Sequence, residues 1–296
     1  MADIATKRNF RAPYFGRGVR VVENKKALEN LLKDDTIDKD KLAQYCSFHP
    51  LPAMYRVLIW KILLDVLPVH QQSHKFVMKQ RCEQYEDLHH ALKVMRKIDD
   101  KTSRPHIYLS AYILETGQFG LHLYHEKWHD LFLDISSSVC KMTDDNVDGY
   151  WLSVNIYKTF SGYFEKNDEH EMTFCQAFSS VLKKESPKLH EHLSKIQALA
   201  CLPYKRWFIR CFSGTLQTDG GLERVWDVLI SGYFTFLPFV AVQILLTMER
   251  RLLRLENIMG ILDALNEIPY EEEVGEVIAC KGVDLWQRHA AKNSGK

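Results

Sequence analysis

One short stretch of this chain spells out a chemical pattern. His125-Glu126-Lys127-Trp128-His129 matches H-E-x-x-H. On a helix, two histidines one turn apart can bind zinc while the glutamate beside the first activates a water. His122 extends the same face. The pattern fixes only three residues, in a chain that holds 13 histidines. No glycine follows at the spacing of the longer zinc-protease form. Satisfied or exposed histidines are therefore the expectation, and neither a metal nor a cofactor is assigned.

The elements that would position such groups are helical nearly throughout. Val22, Leu28, Leu31 and Leu32 share one face over residues 22–33, with Asn24 as a candidate cap. Asp38 is placed to cap a short helix through Tyr45. Pro50 and Pro52 break the chain before a helix over 54–66. Tyr85, Leu88, Leu92, Met95 and Ile98 make residues 76–98 one long amphipathic stretch, which Arg104-Pro105 ends or interrupts. Further helices are predicted over 107–114, 127–142, 148–164, 173–181, 189–199, 202–212, 221–230, 237–255 and 274–289. Strand-like alternation is scarce, with Val19 to Val22 its best short case. No internal repeat, low-complexity tract or Pro/Gly/Ser linker divides the chain, so a single all-α domain is expected.

Composition narrows the function classes. With 296 residues and 46 % hydrophobic content the chain can bury a large core. Lys plus Arg total 39 against 38 for Asp plus Glu, so no electrostatic footprint for nucleic acid exists. Lys7, Arg8, Arg11, Arg17 and Arg20 collect near the start and read as a solvated arm. The seven cysteines are odd in number, none spaced C-x-x-C, and charges run through the first twenty residues where a signal peptide would be apolar. Reduced thiols in a cytoplasmic protein are the expectation. No charge interrupts residues 228–248, long enough on paper for a bilayer. Ser231-Gly232 reads as a helix stop and Pro238 as a fresh start, so two core helices are expected there instead of a transmembrane segment.

Several segments resemble the TBC domain, the all-helical fold of Rab GTPase-activating proteins. Met54-Tyr55-Arg56-Val57-Leu58-Ile59-Trp60-Lys61 is similar to its opening helix, with an arginine four residues before a tryptophan. Gly149-Tyr150-Trp151-Leu152 resembles its mid-domain aromatic pair. Leu202-Pro203-Tyr204-Lys205-Arg206-Trp207-Phe208 and Val225-Trp226-Asp227 resemble its closing signatures. The resemblance implies one TBC-like domain of many packed helices. Its core would span 50–246, with a helical extension over 1–49 packed on it and C-terminal helices over 247–296 continuing it. Trp60, Trp151, Trp207 and Trp226 read first as core residues, and Asp227 and Arg56 as partners of neighbouring helix ends.

That family works through an arginine in an IxxDxxR pattern and a glutamine in YxQ. The arginine stabilises charge on the transferring phosphoryl group and is worth roughly three to five orders of magnitude in rate. The first motif threads two ways here. His90 to Arg96 keeps Arg96, but Lys93 stands where the Asp should be. Ile98 to Arg104 keeps Arg104, but Lys101 replaces the Asp. A lysine there repels the guanidinium it ought to orient, so preorganisation is lost. The window for YxQ, residues 125–131, holds no glutamine, and Gln118 upstream lacks the tyrosine two positions before it. The resemblance thus implies a pseudoenzyme with no catalytic residue, Arg96 and Arg104 being weak candidates. The alternative is an active Rab GTPase-activating protein with an unusual second residue.

Leu51 to Arg56, His90 to Val94 and Ala241 to Thr247 resemble a branch of the family that is a subunit of the tuberous sclerosis complex. The implied partners are a coiled-coil scaffold (hamartin-like) and a tuberin-like GTPase-activating subunit acting on Rheb, which restrains growth signalling through TOR. Small GTPases are a further implied class. The implied location is cytoplasmic, with peripheral recruitment to lysosomal or vesicle membranes through partners. A docking surface is expected on Ile107, Tyr108, Leu109, Tyr112 and Ile113, because the segment 107–114 is apolar around most of its circumference. Complete burial explains the same pattern equally well. A tyrosine ring can pack while its hydroxyl reaches a wet rim, as helix-in-groove docking requires. Val277, Ile278, Val283, Leu285 and Trp286 on the last helix form the second candidate surface.

Overall fold

A computed structural model describes residues 24–117, 127–165, 170–216, 220–267 and 272–293. Among them there is no sheet, and one isolated bridge joins Thr36 to His70. Fifteen helices follow in order among the described residues. They are α1 (24–31), α2 (Lys39–Phe48), α3 (Ala53–Leu63), α4 (His74–Val94), α5 (Arg104–Glu115), α6 (Lys127–Met142) and α7 (Asn146–Glu165). Then come α8 (His170–Glu185), α9 (Pro187–Lys195), α10 (Tyr204–Trp207), α11 (Gly221–Ile230), α12 (Leu237–Thr247), α13 (Glu249–Leu252), α14 (Ile258–Asn266) and α15 (Glu272–Asn293).

The centre is built from α11 and α12. α11 buries every one of its residues from Gly221 to Ile230 except Glu223, and α12 buries Leu237, Val240, Ala241, Val242, Ile244 and Leu245. Both lie against α15, while α2 and α3 cover α11 from another side. Helices this apolar around their circumference need neighbours on all faces. Gly221 shows how close the approach is: a Cβ there would stand 2.6 Å from the carbonyl carbon of Gly275 in α15. The chain turns between α11 and α12 at Ser231-Gly232, so the uncharged run 228–248 is two buried helices. No described helix is long and apolar enough to cross a membrane.

Local signals account for several boundaries. The Asp38 carboxylate accepts the Lys41 amide at 3.0 Å and starts α2, satisfying one of the unpaired N–H groups of the first turn. Pro105 occupies the first turn of α5, where a missing N–H costs nothing. Arg104-Pro105 therefore begins a helix instead of ending one. The expected helix over 202–212 is replaced by the single turn of α10: the Arg210 amide reaches the Lys205 carbonyl five residues back, and Cys211 (φ 47°) and Phe212 (φ 61°) then enter the left-handed region. α14 was not expected. Asn257 caps it, its side chain accepting the Gly260 amide at 2.7 Å. Val19 to Val22 and the basic residues from Lys7 to Arg20 lie outside the described residues.

Candidate functional site

The connection from α4 to α5 carries both arginines that the family motif singles out. α4 ends in a paired closure: the Arg96 amide donates to the Lys93 carbonyl at 3.0 Å and the Lys97 amide to the Leu92 carbonyl at 2.9 Å. This Schellman arrangement needs a left-handed residue, and Arg96 supplies it at φ 55°. Its side chain is exposed and makes no hydrogen bond or ion pair among the described residues. Lys93 is exposed, with its ammonium 4.0 Å from Asp100. Lys101 is exposed too, and its amide caps a turn by donating to Asp99 at 3.0 Å. Lys93 and Lys101 thus both stand in solvent.

Arg104, at the start of α5, turns its guanidinium onto the ends of two other helices. Nη2 donates to the Thr143 carbonyl and to the Tyr108 hydroxyl, each at 3.0 Å, and reaches the Asp145 carbonyl at 3.4 Å. Nη1 reaches the Cys140 carbonyl at 3.4 Å. Those carbonyls close α6 and lead into α7; the last carbonyls of a helix lack intrahelical donors and carry partial negative charge. The cation therefore caps α6 and ties it to α7. Among the described residues no carboxylate side chain bonds it.

Directly beneath lies Tyr108. Its ring is fully buried and meets Tyr85 at 6.2 Å and Tyr150 at 6.1 Å. Burial pushes its phenol well above the ordinary tyrosine range. A Cβ on Gly149 would stand 2.5 Å from the Tyr108 hydroxyl, so α7 approaches α5 only because that position lacks a side chain. Leu109 is also buried, at 8 % exposure. Of the five residues expected on a docking face, Ile107, Tyr112 and Ile113 are half-buried and reach the outside. Tyr112 stacks on Phe132 at 5.3 Å and meets Trp128 edge-on at 5.9 Å. On α15, Ile278, Val283 and Leu285 are buried and Trp286 packs on Tyr233 and Phe236, leaving Val277 exposed.

A second arginine site joins α3 to α11. Arg56 Nε donates to Asp227 Oδ1 at 3.2 Å, Nη1 pairs with Glu223, and Nη2 donates to the Leu51 carbonyl at 2.9 Å. Trp60 Nε1 donates to the same Asp227 oxygen at 2.8 Å. Asp227 is fully buried, which raises its carboxyl above the usual range against the pull of Arg56 and Arg224. Its Oδ2 has no hydrogen-bond partner among the described residues. The helix-end role expected of Asp227 and Arg56 falls instead to Arg224, which donates to the carbonyls of Cys46, Ser47 and His49 at the end of α2. Arg56 and Asp227 bond side chains and a loop carbonyl because they sit one turn from Trp60 and Glu223 on facing helices. That matched four-residue spacing was the signal in the sequence for Glu223. The cleft beside them, lined by Val57, Val139, Met142 and Leu152 among others, holds about 50 Å³. A space of that size holds a few waters and no nucleotide.

No cluster of three or more metal-ligating side chains occurs among the described residues. His122, His125, Glu126 and Gln118 lie outside them. His129 is described and sets its ring edge-on against Trp128 at 4.1 Å.

A family model described as the Rab-GTPase-TBC domain matches residues 130–253. The chain is 42 % identical over 287 residues to TBC1 domain family member 7 of Xenopus tropicalis, covering 96 % of each. It is 40 % identical over 291 residues to the protein of the same name from Homo sapiens, again covering 96 % of each. Among solved structures, the Ypt/Rab-GAP domain of Gyp1p aligns with a TM-score of 0.58 at 15 % identity, covering 91 % of this chain and 99 % of that one. The Chlamydomonas flagellar RabGAP TBC domain aligns with a TM-score of 0.55 at 14 % identity, covering 96 % of each. The two solved structures share the fold, and the near full-length identity to the named relatives goes further: this chain belongs to the Rab-GTPase-TBC domain family.

Proposed function

We propose that this chain is an interaction subunit that keeps the TBC fold without GTPase-activating turnover. In this reading it binds a coiled-coil scaffold of the hamartin kind. It thereby stabilises an assembly whose tuberin-like subunit acts on Rheb and restrains growth signalling through TOR. Recruitment to lysosomal or vesicle membranes would run through those partners.

The observation that carries the non-catalytic half is the engagement of Arg104. Its guanidinium is committed to carbonyls at the end of α6 and to the Tyr108 hydroxyl. A finger arginine must instead project toward a phosphoryl group from a preorganised position. With Lys93 and Lys101 exposed at the acidic position, nothing on the motif's own turn would orient it. The partner half rests on the resemblance of residues 51–56, 90–94 and 241–247 and on the naming of the relatives. The half-buried residues Ile107, Tyr112 and Ile113 of α5 are the proposed scaffold surface.

One observation favours the alternative, an active Rab GTPase-activating protein. Arg96 is exposed and its side chain has no partner among the described residues, so it is free to reach a bound GTPase. Single-turnover GTP hydrolysis by a panel of Rab proteins decides between the two. The proposal expects the intrinsic rate with and without this chain. Acceleration abolished by Arg96→Ala would establish the alternative. The scaffold half is tested by co-purification with a coiled-coil scaffold. Tyr112→Glu and Ile113→Asp should abolish binding while the circular dichroism melt stays cooperative; normal binding by both would place the interface elsewhere.

A further inference from the structure

α10 and the compact loop that follows it collect positive charge. Lys205, Arg206 and Arg210, with Ser213 and Gly214, line an open notch of about 450 Å³ whose remaining wall is Asp134 of α6. Three cations thus meet two carboxylates, Asp134 in the wall and Asp130 beside it, in a protein whose overall charge is close to neutral. The two arginines are tied to the notch wall and to its surroundings. Arg206 donates to the Gly214 carbonyl at 2.7 Å and to Asn266 at 3.1 Å, and Arg210 donates to Asp134 at 2.5 Å while Asp130 stands 4.0 Å from it. Each guanidinium has five N–H donors, and these contacts leave donors over. Lys205 is exposed and its ammonium has no partner among the described residues. The Gly214 amide likewise has no acceptor among them.

The loop itself is braced. Trp207, Phe208, Cys211 and Phe212 are all buried, and the left-handed Cys211 and Phe212 bring Arg206 and Arg210 to the same side of the notch as Ser213. The burial of four neighbours fixes the backbone that presents the charges, so little ordering cost is left for a ligand.

We propose that this notch binds the phosphate groups of a small polyphosphorylated ligand of the inositol phosphate class. Two fixed planar guanidinium groups and a free ammonium suit phosphate oxygens. A docked peptide would need an apolar anchor, and no apolar side chain lines the notch. The same chemistry can come from a soluble inositol phosphate or from a phosphoinositide headgroup on a membrane. The site is remote in role from the α4–α5 turn and from the proposed scaffold edge, and it stands or falls without them.

Calorimetric titration of the full chain with inositol trisphosphate tests the proposal. Flotation with phosphatidylcholine vesicles carrying phosphatidylinositol bisphosphate, beside vesicles matched in charge with phosphatidylserine, separates the sources. Saturable binding of the free trisphosphate is expected, weakened about tenfold or more by Lys205→Glu, the loss of one charge-assisted contact and its reversal. Lys26→Glu, an exposed charge reversal on α1, should leave it unchanged. Lys205→Gln, which adds no negative charge, should weaken it less and guards against misfolding of the reversal variant. Binding of the free ligand without flotation assigns the soluble source, and flotation with phosphoinositide vesicles alone assigns the lipid. No binding of the trisphosphate, equal losses in Lys205→Glu and Lys26→Glu, or equal flotation with the phosphatidylserine vesicles would overturn the proposal.

Discussion

Arg56 and Arg104 make opposite use of the same side chain. Arg56 lies in the interior between α3 and α11 and is matched by two carboxylates, Asp227 and Glu223. Arg104 lies half-exposed at the start of α5 and is matched by backbone carbonyls and one phenol. The first is an ion pair taken out of water, where removing one partner strands the other's charge. The second is a cation on a helix end, held by partial charges that solvent also competes for. Loss of Arg56 would therefore strand two carboxylates in the interior, while Arg104 acts as a clamp between the end of α6 and the start of α7.

The largest test of this contrast is Asp227→Ala. It leaves Arg56 and the Trp60 N–H without their shared acceptor, and a loss of about 3–5 kcal/mol is expected in urea unfolding. A loss no larger than that of an exposed surface pair, about 0–1 kcal/mol, would erase the distinction. Arg104→Ala should cost less, about 1.5–3 kcal/mol, the range for hydrogen bonds to a charged group. Hydrogen exchange should then quicken at the end of α6 and the start of α7. If exchange quickens at α11 instead, the two sites are one coupled unit.

Alkaline pH probes both neighbourhoods at once. Burial pushes Tyr45, beside the α2 end held by Arg224, up to about 12, and Tyr85, packed on Tyr108, up to about 12 as well. Both hydroxyls keep their protons in the folded state while the unfolded chain loses them from about pH 10. The unfolded state then binds fewer protons, so stability is intact below pH 10 and falls as pH rises toward about 12. Tyr85→Phe should remove part of that fall, and a pH profile unchanged by it would show that Tyr85 is not the group responsible. The smallest effect is expected at Arg96→Gly. A left-handed position costs a non-glycine residue about 1–2 kcal/mol, and the greater freedom of unfolded glycine offsets about 0.5–1 kcal/mol. The thermal melt should rise slightly, by the equivalent of at most about 1 kcal/mol, and a fall would mean that the Arg96 side chain is engaged.

Local rules took the fold a long way. The predicted limits 221–230 coincide with α11, and the predicted end at 142 with the end of α6, because apolar period and capping chemistry act within a few residues. α14 was missed although Asn257 precedes apolar residues at helical spacing; it is short, and Gly260 sits in its first turn. The helix expected over 202–212 fails for a different reason. Trp207, Phe208, Cys211 and Phe212 have a helical spacing, yet they are buried on a reeled loop through two left-handed residues. Neither is glycine, so no local residue preference announced the turn.

The sequence by itself determined the all-helical class, most helix positions and the family, since these depend on period, caps and ordered short motifs. It also placed Lys93 three residues before Arg96 and Lys101 three residues before Arg104. Only the tertiary structure decided what each arginine does. Arg56 finds Asp227 across 171 residues of chain, and Arg104 finds Thr143 across 39. Partners so distant in sequence are chosen by how helices pack, and helix packing is set by the summed burial of many side chains, not by any one of them.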